Sequence, residues 1–153
     1  MVKNLERRGY LSYDKENALY TLGYRVLLLS SAYLNDLEFR SVALPYMKEL
    51  RDKTNESVSL WIDQKSSRLC VERVQSREPL RQVIYVGDTL PLDKGSSGKL
   101  LLAFRNTPAD DALLSAGEAQ AIRTHGYAIS HAERCPGICS IAAPIRNASG
   151  QVI

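Results

Sequence analysis

Residues 126–145 read GYAISHAERCPGICSIAAPI, two apolar segments separated by a polar turn, and they constrain the fold more than any other stretch. Tyr127, Ala128 and Ile129 predict a short strand, Pro136-Gly137 punctuates a turn, and residues 138–145 predict a buried strand ended by Pro144. Ser130, Cys139 and Ser140 stand at the two ends of the loop. A buried strand that carries hydroxyls must supply them with partners, either backbone groups or a bound molecule. This is the signature of a pocket wall.

A second stretch of period two begins after Glu56. Val58, Leu60 and Ile62 alternate with Ser57, Ser59 and Trp61, residues 63–67 are polar and predict a turn, and residues 69–74 predict the returning arm of a hairpin. Gln82, Ile84 and Val86 share one face of a further predicted strand, opposite Val83 and Tyr85, with Gln82 polar among apolar neighbours. Gly87-Asp88 turns the chain, and Leu90-Pro91-Leu92 leads through Asp93-Lys94-Gly95-Ser96-Ser97-Gly98-Lys99 into a predicted helix over 100–105. Small residues at a helix start leave backbone N–H groups open to a carboxylate or another anion. The spacing is not that of a Walker loop. A short acidic helix start is expected over 109–114, then a helix over 118–125 stopped by Gly126.

The N-terminal segment has a different grammar. Val2 and Leu5 share a helix face, Gly9 is a natural stop, and a hairpin follows: 10–13, the tip Asp14-Lys15-Glu16-Asn17, then 18–21. Helix, stop and a short aromatic hairpin with a charged tip are the back half of a winged helix, whose front half this chain does not contain. Residues 22–34 predict a helix apolar on most sides, which must be buried all round or shared with another subunit. Asn35 or Asp36 can cap a further helix with Leu37, Leu44, Met47 and Leu50 on its inner stripe, kinked or broken at Pro45.

The 153 residues are 44% hydrophobic and 24% charged, enough for a real core. The net charge of +3 does not by itself name a nucleic-acid binder, although residues 1–25 hold Lys3, Arg7, Arg8, Lys15 and Arg25 against Glu6, Asp14 and Glu16. No apolar run approaches the ~20 residues of a membrane span, and no signal peptide is visible, so a cytoplasmic protein is expected. Cys70, Cys135 and Cys139 lack metal spacing and are expected as reduced thiols. Neither His125 nor His131 stands at an evident partnering position for a reactive Cys139.

The segments LERRGYLSYDKENALYTLGYRVL, LPLDKGSSGKLLLAF and IRTHGYAISHAERCPGICSIAAPIRNASGQVI, in that order, resemble the IclR-type bacterial transcriptional regulators over nearly the whole chain. The resemblance implies an α+β fold: a partial winged helix-turn-helix over 1–21, a linker helix over 22–35, and a GAF-like effector domain over 36–153, an antiparallel sheet flanked by helices. Ile153 would then fall inside a strand, with further elements of the domain beyond it. The family's pocket, carried over by position, falls on Gln82, Leu90, Ser96, Ser97, Gly98, Ser130, Ile138 and Ser140. It would hold a small carboxylic or aromatic acid, with no cofactor or metal. DNA contacts, mostly to phosphates, would come from Lys3, Arg7, Arg8 and Lys15, and the assembly would be a dimer or tetramer, away from membranes. Asp93 stands where many members have His, and the connection between Phe104 and Gly126 is shorter than usual. The alternatives are a thiol-dependent enzyme on a GAF-like scaffold, using Cys139 or Cys135, and a redox-sensing regulator using the same cysteines.

Overall fold

The structure is a computed structural model that describes residues 1–79, 82–105 and 113–153. Two compact units divide the chain, Met1–Ala43 and Leu44–Ile153.

In the first unit, α1 (Val2–Arg7) is followed by Arg8 and by Gly9, whose N–H donates to the Glu6 carbonyl at 2.8 Å. Strands β1 (Leu11–Asp14) and β2 (Leu19–Leu22) pair antiparallel from Leu11↔Leu22 to Asp14↔Leu19, each one residue later than the pattern predicts. The tip is an Asx turn. The Asp14 carboxylate accepts from the backbone N–H of Glu16 at 2.9 Å and of Asn17 at 3.3 Å. Helix α2 (Arg25–Asp36) starts after Gly23 and Tyr24 rather than at residue 22, and no residue of it is buried: Leu27, Leu28 and Leu29 are 70%, 61% and 56% exposed. Of the two readings of its apolar faces, burial all round therefore fails among the described residues.

Asn35 and Asp36 end α2 instead of capping the next helix. Helix α3 (Glu38–Thr54) then runs through Pro45 without a break, leaving the Ser41 carbonyl without its helical donor. Of its expected inner stripe only Met47 is buried; Leu50 is 49% exposed.

The second unit holds a three-stranded antiparallel sheet in the order β3 (Val58–Gln64), β4 (Ser67–Val74), β5 (Thr89–Pro91). Pairing runs from Val58↔Val74 to Gln64↔Ser67, with a shift between Leu60↔Glu72 and Trp61↔Cys70 that leaves Val71 as the extra residue. The strand expected over 82–86 does not form. Instead the chain turns over 85–88, where Asp88 N–H donates to the Tyr85 carbonyl at 3.1 Å and the Asp88 carboxylate accepts from Tyr85 N–H at 2.8 Å. It joins β4 from Gly87: Gly87 N–H donates to the Cys70 carbonyl at 2.8 Å and Cys70 N–H donates to the Asp88 carbonyl at 2.9 Å. From there β5 continues the ladder through Leu69↔Thr89 and Arg68↔Leu90.

Helix α4 (Ser96–Phe104) begins four residues before the expected start, and α5 (Ala116–His125) begins two before. Ser115 caps α5 by accepting from Glu118 N–H at 3.2 Å, and Gly126, at φ +78°, closes it with its N–H on the Ile122 carbonyl at 2.9 Å. Residues 109–112 of the expected acidic helix start lie outside the described residues. The core is formed by Leu92, residues 100–103, Leu114, Ala119, Ile122 and Ala128, with Trp61, Phe104 and Ala142 packed against it.

Strands β6 (Ala128–His131) and β7 (Cys139–Ala142) pair antiparallel in register Ser130↔Ser140. Alternation on β6 buries Ala128 and Ser130 and exposes Ile129 and His131. The buried strand predicted over 138–145 is shorter and mostly exposed. Only Ala142 reaches the core and Ile141 is 69% exposed, since β7 has a ladder partner on one edge alone among the described residues. The architecture is α+β, and no described helix is long and apolar enough to cross a membrane.

Candidate functional site

The start of α4 gathers most of the polar groups that the sequence singled out. Gly95 is the residue before the helix and sits at φ +88°, a conformation that favours glycine. Gly98 lies flush against its neighbours: a methyl group there would overlap the Arg68 guanidinium and the Leu92 carbonyl. The N–H groups of Gly98 and Lys99 donate to the Gly95 carbonyl at 3.1 and 3.2 Å, whereas those of Ser96 and Ser97 have no partner among the described residues. Two open donors therefore stand at the positive end of the helix. Beside them the Ser96 hydroxyl donates to Ser140 Oγ at 2.8 Å, and Ser140 pairs across the ladder with buried Ser130.

Charged groups surround this cluster. Glu133, on the β6–β7 loop, accepts from Gly95 N–H at 2.9 Å and from Lys99 Nζ at 2.6 Å. Burial works to raise its pKa, but the Lys99 ammonium, the Gly95 N–H and the Ser130 hydroxyl outweigh it and hold the carboxyl below its ordinary value. Lys99 also pairs with Glu118 at 3.0 Å. Arg68, on β4, is 2% exposed; its Nη1 donates to the Pro91 carbonyl at 2.6 Å and its guanidinium lies 5.3 Å from the Trp61 ring centroid. Burial, followed by the nearby Arg134 charge, pulls the Arg68 pKa down to about 10, with Asp93 opposing.

Sequence reasoning missed Arg68, Glu133 and Lys99. The turn was read through residue 67 and the strand from 69, so Arg68 fell between two elements, while Glu133 resembled any loop glutamate. Among the predicted residues, Ser96, Ser130 and Ser140 come together, and Ser97 and Gly98 share the same helical turn. Leu90 stands opposite Arg68 in the β4–β5 ladder, and Ile138 lies in the β6–β7 loop, its carbonyl accepting from Ala132 N–H at 2.9 Å. Gln82 is apart from the cluster in its contacts: its carbonyl accepts from Arg73 Nη2 at 2.6 Å. Two hollows of about 420 and 210 Å³ lie elsewhere, one against Phe104 and Arg146, the other against Asp63 and Arg105.

The cysteines require a correction. His131 is the ladder partner of Cys139, and its Nδ1 lies 3.4 Å from Cys139 Sγ, so His131 does stand at a partnering position. Counting residues along the loop hid a relation that only the register reveals. All three thiols are free, and burial pushes Cys70 up to about 11. Among the described residues no group of three metal-ligating side chains occurs. Lys3, Arg7, Arg8 and Lys15 are all exposed, on α1, at its end and in the hairpin tip.

An α+β domain of this build is shared with solved bacterial transcriptional regulators. A regulator from Rhodococcus sp. RHA1 superposes with a TM-score of 0.76 at 30% identity, over 99% of this chain and 67% of that one. An IclR homologue from Microbacterium hydrocarbonoxydans, solved in complex with 4-hydroxybenzoate, gives 0.75 at 22% identity, over 99% of this chain and 70% of that one. By sequence, the glycerol operon regulatory protein of Streptomyces coelicolor is 30% identical over 96% of this chain, which spans 64% of that protein's length. The bacterial transcriptional regulator IclR C-terminal family matches residues 31–121 and 105–153, and the chain belongs to the IclR family.

Proposed function

We propose that the protein is a transcriptional regulator that binds operator DNA and whose DNA affinity is set by a small carboxylic or aromatic acid held at the start of α4. The observation that carries the reading is the pair of open N–H donors on Ser96 and Ser97 beside the Ser96–Ser140 hydroxyl pair. Such a cluster suits a small oxygen-rich ligand, with Leu90 and Ile138 supplying apolar surface and Gly98 and Ser130 completing the lining, while Gln82, apart from the cluster in its contacts, drops out of it. A regulator of the same fold binds 4-hydroxybenzoate. Lys3, Arg7, Arg8 and Lys15 contact DNA phosphates. The chain works in the cytoplasm as a dimer or tetramer, using the apolar face of α2, and the ligand acts by favouring one arrangement of the paired DNA-binding parts.

A thermal-shift screen of the full-length protein against small carboxylic and aromatic acids tests this. A saturating rise in midpoint is expected for at least one acid, lost in Ser96→Tyr and in Ser140→Phe, which fill the space beside the donors. Normal ligand affinity in both variants would sink the site assignment.

One observation favours a second reading, that of a redox-sensing regulator: the Cys139 thiol beside His131. Loss of DNA binding on mild oxidation, reversed by reductant, would support it, and indifference would end it. The matching family is one of transcriptional regulators, which favours the regulator over the enzyme alternative.

A further inference from the structure

We propose that the Arg68 guanidinium is the counter-charge for a carboxylate of the small molecule bound at the start of α4, an inference that rests on the effector reading above. Arg68 is 2% exposed, and a buried charge is costly unless an opposite charge faces it. Among the described residues it makes no ion pair. One nitrogen donates to the Pro91 carbonyl, the ring of Trp61 lies alongside, and Nε is buried with no partner at all.

The surroundings do not supply the missing counter-charge: Asp93 favours the charged guanidinium, but Arg134 opposes it more strongly. The charge of Arg134 acts against Arg68, and Nη2 lies 3.1 Å from where a Cβ on Gly95 would stand, at the positive end of α4. A cation beside a helix N-terminus is the reverse of the favourable arrangement. An anion bound there reverses the sign of both interactions, since it is attracted by the helix end and by the guanidinium together.

Glu133 shows that this helix end accepts a carboxylate, but its two oxygens are engaged by Gly95 N–H and Lys99. The N–H groups of Ser96 and Ser97 and the free edge of Arg68 remain for a second one. The planar guanidinium, steadied by Trp61 and by the Pro91 carbonyl, is a preorganised fork for carboxylate geometry. Holding the Pro91 carbonyl alone would need a donor and no charge.

The test uses the full-length protein and matched probes: benzoate, 4-hydroxybenzoate, pyruvate and acetate, each beside its amide, followed by thermal midpoint and titration calorimetry. At least one acid should bind the wild type about tenfold or more tighter than its amide. Arg68→Met should lose that preference, with Arg68→Lys in between. Ligand-free Arg68→Met should melt no lower than wild type, because it removes an unpaired buried charge. Equal binding of acid and amide by wild type, or unchanged acid affinity in Arg68→Met, overturns the role of Arg68 and leaves the effector site standing. Should Arg68→Met fail to fold, the acid–amide contrast and Arg68→Lys decide. Absence of any shift in wild type from every acid and amide overturns the effector reading itself, and Arg68 with it.

Discussion

The two units of the chain place their apolar side chains in opposite ways. Every buried residue of the described chain lies at Met47 or beyond, whereas Met1–Ala43 holds none and exposes Leu19, Leu22, Leu27, Leu28 and Leu29. In the second unit the apolar pattern is answered by elements of the same chain: α4 and α5 pack on each other and α4 on β6 and β7. In the first, the pattern is just as strong and has no such answer. Apolar periodicity therefore predicts that a face will be covered, not what covers it.

The largest test of this contrast is a cavity in the second unit. Leu102, 3% exposed in the core cluster, should cost about 3 kcal/mol on Leu102→Ala, because transfer and cavity contributions add. Urea unfolding of the full-length protein checks it. A loss below about 1 kcal/mol would mean that this core repacks freely and would break the contrast with the first unit.

An intermediate effect is expected where charge, not apolar area, joins the parts of the second unit. Glu133→Gln keeps a side chain over Gly95 N–H but removes the charge that meets Lys99 and the helix end, so a loss of about 1 kcal/mol is expected near neutral pH. Because the folded carboxyl is held below its ordinary value of 4.5, the stabilisation is fully present above that pH. It disappears as pH falls through the lower folded value. Wild type and Glu133→Gln should therefore converge in midpoint on acidification. A gap that persists at low pH would mean that the amide is simply a poorer fit and that the charge does little.

What was legible in the sequence follows the same division. The strands over 58–64 and 67–74 were read to within two residues at the turn between them, and the stop at Gly126 and the hairpin at Asp14 nearly to the residue; all of these rest on local chemistry. The donors at Ser96 and Ser97 were visible as small residues before an apolar helix. The relations that make a site of them were not, because they are set by register and packing. Ser140 meets Ser96 through the packing of α4 on β7, and His131 meets Cys139 through the β6–β7 ladder. Arg68 is buried against Gly98 only because β4 carries it there, and nothing in its neighbours along the chain distinguishes it from a turn arginine. The strand misread over 82–86 failed for a like reason: its alternation is real, but the turn that Asp88 closes on Tyr85 brings the chain onto β4 at residues 87–88.

The smallest effect on stability should come from the first unit, and it sharpens the contrast most. Leu28 is 61% exposed on α2, so Leu28→Gln, which keeps helix propensity, should change the unfolding free energy of a dilute sample by less than about 0.5 kcal/mol. If this face is shared with a second copy of the chain, the same substitution should weaken self-association markedly, because a buried leucine at an interface centre carries far more than its exposed counterpart. Sedimentation of wild type and Leu28→Gln across a range of concentrations reads this directly. Lost association at unchanged dilute stability would show that the uncovered leucines of α2 await another subunit. Unchanged association would place the contact elsewhere and leave α2 as a helix whose apolar faces serve some other surface.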